Sequence, residues 1–143
     1  MYKLKTQIDF ECAHRLYNVN TYSEECRQNM HGHSYKVTVI VGRGSLNAAG
    51  MVMDFKQLKT SLKHCIEDKY DHSCILKEDD PISEIVSKEC KKVHVVDESP
   101  TAEWMAKTFF ETIQRSIVSI DEEVKLLSVA VQETDHNIAI YEE

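Results

Sequence analysis

An α+β fold, a four-stranded antiparallel sheet with two helices on one face, is predicted by three observations. Two stretches before Gly44 alternate apolar and polar side chains, two later stretches repeat apolar residues at three and four, and two short alternating runs close the chain. The element order is β-β-α, a variable segment, then α-β-β. At 143 residues the chain reads as a single domain, 1–143, large enough to bury a core without disulfides.

Leu4, Thr6, Ile8, Phe10 and Cys12 alternate with Lys3, Lys5, Gln7, Asp9 and Glu11, the period of a half-buried strand, and His14 continues the buried parity. A polar loop runs from about Arg15 to Met30. Tyr35–Val41 reads as a second strand, and His31, His33, Tyr35, Val37, Val39 and Val41 share one of its faces. Gly50 marks a turn, and Asp54 caps a helix to about Lys69 with Phe55, Leu58, Leu62, Cys65 and Ile66 as its stripe. A second helix starts at Ser99-Pro100-Thr101, with Ser99 as cap and proline in the first turn. Its stripe is Ala102, Met105, Phe109, Ile113 and Ile117. Leu127, Val129, Val131 and Glu133 then share one face of a third strand, and Ile138 and Ile140 define a fourth. Segment 73–98 mixes charges with three short apolar patches and is assigned to no element.

The net charge is −7 and the 17 basic residues form no long block, which argues against a nucleic-acid partner. No apolar run has membrane length and no signal-peptide pattern opens the chain, so a soluble cytoplasmic protein is expected, without a membrane partner. Five cysteines without a C-x-x-C pair fit reduced thiols better than a disulfide framework.

His31-Gly32-His33 carries the most chemistry. Alternate strand residues share a face, so the two imidazoles stand about 6–7 Å apart and can converge on one cation. The glycine keeps the backbone between the rings free of bulk. A hairpin with the first strand brings His14 to the same face, and three nitrogens with one open position is the pattern of catalytic zinc. His64, His94 and His136 lack matched partners and read as solvated surface positions. Three roles fit Cys26: a buried structural thiol, a fourth zinc ligand that would close the site into a zinc-stabilised module without activity, or a catalytic thiolate. Glu133 continues an apolar face, where an unpaired carboxylate is costly. It is either a strand end reaching water or an acceptor held for a two-donor, guanidine-like ring edge. Asp71-His72 reads first as a helix-terminal cap, and second as an acid orienting an imidazole for proton transfer.

In this order, Phe10-Glu11-Cys12-Ala13-His14-Arg15-Leu16, Cys26, His31-Gly32-His33-Ser34-Tyr35, Gly50-Met51-Val52-Met53-Asp54-Phe55, Asp71-His72, Pro100-Thr101-Ala102-Glu103 and Glu133-Thr134-Asp135 resemble the 6-pyruvoyltetrahydropterin synthase / 6-carboxytetrahydropterin synthase family. Only segment 73–98 lies outside the resemblance. It implies the T-fold, in which three subunits close their sheets into a barrel and two trimers stack as a homohexamer with active sites between subunits.

It also implies zinc on His14, His31 and His33, Cys26 as general base, and Asp71 and His72 as a proton relay. Glu133 would anchor the pterin ring with Thr101 and Glu103 assisting. The implied substrate is 7,8-dihydroneopterin triphosphate, handled without nicotinamide or flavin. Arg15 and Lys36 are the candidates to hold its triphosphate.

The favoured product is 6-carboxy-5,6,7,8-tetrahydropterin, with release of acetaldehyde and triphosphate, as in queuosine (deazapurine) biosynthesis. The compact chain and the Pro-Thr-Ala-Glu form of the second motif favour it. The alternative is the 6-pyruvoyl product of tetrahydrobiopterin synthesis. The spacing from Cys26 to His31 lies between those of bacterial carboxy-forming and animal pyruvoyl-forming members. Glu24 and Glu25 resemble variants in which glutamate replaces the cysteine as base.

Overall fold

Strands β1 (Tyr2–His14) and β2 (His31–Arg43) pair antiparallel over their whole lengths, and this hairpin is the centre of the molecule. The computed structural model describes residues 1–21 and 23–143. Helix α1 (Glu24–Gln28) lies in the loop between the two strands. Helix α2 (Phe55–Leu62) follows, capped by Asp54, whose Oδ1 accepts the Lys56 N–H at 2.6 Å. It passes through a π-helical turn, 63–67, into the short α3 (Asp68–Tyr70). Strand β3 (Ser73–Lys77), helix α4 (Ser83–Glu89) and strand β4 (Val93–Val96) come next. The long α5 (Ala102–Ile120) and strands β5 (Lys125–Gln132) and β6 (Ile138–Glu142) complete the chain.

The sheet has six strands among the described residues, in the order β4-β3-β1-β2-β5-β6, where four were expected. The four expected strands are antiparallel neighbours. The two additions come from segment 73–98 and run parallel to β1 and to each other, so the sheet is mixed. Runs of five and four residues at a sheet edge are too short to show a period.

One face of the sheet is covered by α2 and α5. Leu58, Leu62, Cys65 and Ile66 from the first helix and its π turn, and Met105, Phe109, Ile113 and Ile117 from α5, pack on Phe10, Tyr35, Val37, Val39 and Val129. Full burial of each such side chain contributes roughly 1.5–3 kcal/mol. Phe55, expected in that stripe, is exposed, and Ser61 is buried instead, its hydroxyl 2.5 Å from that of Ser116.

Two sequence expectations shift by a residue or two. A β-bulge between Ile40 and Val41 puts Leu126, not Leu127, opposite Val41 on the core face. Helix α5 is capped by Thr101, whose Oγ1 accepts the Trp104 N–H at 3.2 Å, so Ser99 is not the cap and Pro100 precedes the helix. Pro100 thereby leaves its carbonyl free to face the sheet.

Candidate metal centre and the residues around it

The hairpin register sets His14 directly opposite His31, with His33 two residues on and Tyr35 beneath. One nitrogen from each of the three histidines lies within 4.8 Å of the others, and the ring centroids are 4.6–5.2 Å apart. Gly32 serves a different purpose from the one expected. A Cβ there would meet the Cys12 carbonyl oxygen at 3.1 Å, so it permits close approach of β1 rather than clearing space between the rings.

Hydrogen bonds orient the rings. His14 Nδ1 stands 2.7 Å from the Pro100 carbonyl, and His31 Nδ1 stands 3.0 Å from that of Asn29. A carbonyl only accepts, so each neutral ring carries its proton on Nδ1 and leaves a bare lone pair on Nε2. Those two Nε2 atoms face each other at 3.1 Å. Two lone pairs at that distance repel unless a cation lies between them, and outer carbonyls fixing the far nitrogen are the usual support of metal-binding histidines. Burial holds His14 neutral, lowering it to about 4 against the Pro100 hydrogen bond, which works in the opposite direction. Neutral imidazole is the form that binds metal.

The third nitrogen is also uncommitted. His33 Nε2 is buried with no hydrogen-bond partner, although Glu133 Oε1 lies 3.1 Å away. The distance suits an ion pair, but the direction is wrong for a hydrogen bond. Burial lowers the pKa of His33, and the Glu133 carboxylate opposes that shift. The three residues could therefore hold a metal ion, and their donor set suits a borderline-soft divalent cation. Cys26 is not among the donors that converge there, so no closed four-ligand site is assembled. Cys12 lies next to the centre in β1, but burial pushes its thiol up to about 12 and keeps it inert.

Glu133 follows β5 on the helix-covered face. With Glu103 it lines a cleft of about 350 Å³ that also includes His136 and Asn137. His136 had read as a surface residue. It is exposed, yet it faces this cleft, and only the chain reversal between β5 and β6 puts it there. Thr101 is occupied as the α5 cap, leaving its hydroxyl hydrogen as the group free for a ligand.

Asp71 and His72 stand elsewhere. Asp71 Oδ1 accepts the Glu11 N–H at 2.8 Å, which leads the causes that hold its carboxyl below the usual range. Its Oδ2 lies 2.8 Å from His72 Nδ1, fixing that proton and freeing Nε2. His72 adopts a positive φ of 58°. Its side chain is 80% exposed and lines a cleft of about 320 Å³ with Glu11, Ala13, Ser34 and also His33 of the histidine cluster. Strand alternation turns the Glu11, Ala13 and Ser34 side chains to the sheet face away from the helices, opposite that of His33.

The two candidates for the triphosphate lie in different settings. Arg15 is spent in a two-pronged pair with buried Asp80, and Lys36 projects from the open face of β2. His94, which had read as solvated, is half-buried against the Tyr70 ring and hydrogen-bonded to the Lys69 carbonyl. A cleft of about 610 Å³ between α2 and α5 is lined by other residues, among them Asp54, Ser61 and Ser116.

A family model described as 6-pyruvoyl tetrahydropterin synthase matches residues 3–143. The 6-carboxy-5,6,7,8-tetrahydropterin synthase of Aquifex aeolicus is 32% identical over 160 residues, covering 99% of this chain and 98% of its own. The protein of the same name from Haemophilus influenzae is 30% identical over 151 residues and covers 100% of both chains. In backbone, the crystal structure of an uncharacterized protein from Wolinella succinogenes is similar with a TM-score of 0.85 at 24% identity, covering 99% of this chain and 98% of its own. No helix among the described residues is long and apolar enough to cross a membrane.

Proposed function

Because the chain belongs to the 6-pyruvoyl tetrahydropterin synthase family, we propose that it is a lyase converting 7,8-dihydroneopterin triphosphate to 6-carboxy-5,6,7,8-tetrahydropterin, with release of acetaldehyde and triphosphate. The observation that carries this reading is full-length similarity to two relatives that bear the name of that product. The 6-pyruvoyl product remains the alternative, on the description of the family model alone.

In this reading zinc is the cation of the histidine cluster, where it supplies Lewis acidity to the hydroxyls of the substrate side chain. His14, His31 and His33 hold it, and the Pro100 and Asn29 carbonyls keep their rings aimed. Cys26 removes the proton from the side-chain carbon next to those hydroxyls, and Glu24 and Glu25 flank it in α1. Asp71 holds the His72 Nδ1 proton so that Nε2 can pass a proton to or from the substrate. Glu133 accepts from the pterin amino group and ring N–H, a charge-assisted pair of bonds, with Glu103 and Thr101 at the rim.

The placement of Asp71 and His72 on the open face supports a site completed by a second copy of the chain, in the homohexamer implied by the T-fold. Incubating the zinc-loaded protein with 7,8-dihydroneopterin triphosphate and identifying the pterin by mass tests the reading. The expected product is 6-carboxy-5,6,7,8-tetrahydropterin with acetaldehyde. A 6-pyruvoyl product would select the alternative, and absence of turnover with metal bound would defeat both.

A further inference from the structure

Helix α1, which carries Cys26, has five residues and buries none of them. A helix that short does not hold itself in water, so its position depends on ties from outside. Two come from the end of β1. The Leu16 N–H donates to the Cys26 carbonyl at 2.9 Å, and Arg15 Nη1 donates to the Gln28 carbonyl at 3.2 Å.

Arg15 is itself fixed by a residue of segment 73–98. Asp80, in the turn after β3, is 2% exposed. Its Oδ2 accepts from Arg15 Nε at 2.6 Å and its Oδ1 from Arg15 Nη2, a fork-to-fork pair. The same Oδ1 accepts the Ile82 N–H at 3.0 Å, while the Asp80 backbone is pinned to Lys77 and Ser83. The guanidinium also lies 5.2 Å from the Tyr17 ring centroid. A buried carboxylate is tolerated only when paired this fully. The chain Asp80–Arg15–Gln28 is therefore a rigid strut from segment 73–98 to the helix of Cys26.

We propose that Asp80 and Arg15 are positioning residues, and that segment 73–98 acts through them to hold Cys26 in place for proton abstraction. The proposal rests on the reading of Cys26 as the base. Both side chains are committed to one another, and their effect passes through the backbone of α1.

The test is the double variant Arg15→Met/Asp80→Asn in the full zinc-loaded protein. Asparagine keeps the acceptor for Ile82, and removal of both charges leaves neither one buried alone, so the fold is retained. Asp80→Asn alone, which keeps the guanidinium, is the second variant. Amide exchange across α1 and the alkylation rate of Cys26 by iodoacetamide are read beside turnover. The double variant is expected to bind metal as before and to exchange in α1 at least about tenfold faster. Its kcat falls about tenfold or more at unchanged KM, the pattern of a displaced base rather than lost binding. A lowered melting temperature with wild-type α1 exchange and Cys26 alkylation would show a merely structural pair and overturn the proposal. If the wild type itself fails to turn over 7,8-dihydroneopterin triphosphate, the functional reading falls, and α1 exchange and Cys26 alkylation alone decide whether the strut exists.

Discussion

On the helix-covered face of the sheet His14 is 1% exposed, takes its orientation from Pro100, and meets His31 and His33 within the same chain. On the open face His72 stands 80% exposed, held by Asp71, which is itself fixed by the Glu11 N–H. The first cluster is assembled by its own fold: register, parity and two backbone carbonyls bring three imidazole nitrogens together, two of them with bare lone pairs. The second is also oriented, by one carboxylate, but it stands at the surface and outside the converging nitrogens. In the proposed function this surface pair moves protons at a site completed by another copy of the chain.

The largest effects that sharpen this contrast come from the two groups proposed to move protons. Cys26→Ala and His72→Ala are each expected to lower kcat by roughly 10²–10⁴-fold, the usual contribution of a general base or acid. Metal content and melting temperature should stay near wild type, because neither residue is among the converging donors. Loss of the metal in Cys26→Ala, measured by elemental analysis, would instead make the thiol a ligand and the centre structural.

A smaller effect tests the carboxylate beside the cluster. Glu133→Gln removes the charge while keeping the shape, and should raise KM about 10–100-fold, matching the roughly 1.5–3 kcal/mol of a hydrogen bond to a charged group. Steady-state kinetics with kcat nearly unchanged is the expected result. An unchanged KM would remove Glu133 from substrate recognition.

Much of the metal cluster was legible because it depends on two strand-level rules, parity and hairpin pairing, that act on neighbouring residues. His14, His31 and His33 satisfy both. The supports are another matter. Pro100 reaches His14 only because α5 starts at Ala102 above that strand end, and no local pattern encodes that approach. Strands β3 and β4 are not legible because runs of five and four residues are too short for a period, and Leu126 replaces Leu127 because a bulge adds a residue that alternation does not count. Asp71-His72 was visible as a dipeptide, but its face of the sheet was not. That face follows from the β1–β3 pairing, which starts at Ser73.

A last effect concerns stability without metal. His14 falls from 6.5 to about 4 on folding, and burial lowers His33 as well. Between those pH values the unfolded chain binds more protons than the folded one, so stability drops as pH falls from about 6.5 toward 4. The His14 contribution is on the order of 3 kcal/mol. Urea titrations of chelator-treated protein at pH 7 and pH 5 should show a lower midpoint at pH 5, and His14→Gln should flatten the difference. Equal midpoints would mean that the cluster is not held neutral by burial.

The contrast between the two faces is tested most directly by mixing. Cys26→Ala and His72→Ala chains, each inactive alone, are unfolded together, refolded with zinc and assayed with 7,8-dihydroneopterin triphosphate. Sites shared between chains predict recovered activity in the mixture, since some sites then combine an intact Cys26 from one copy with an intact His72 from another. A mixture as inactive as its parents, with mixed assemblies verified by mass, would contradict the account and place the whole reaction within one chain.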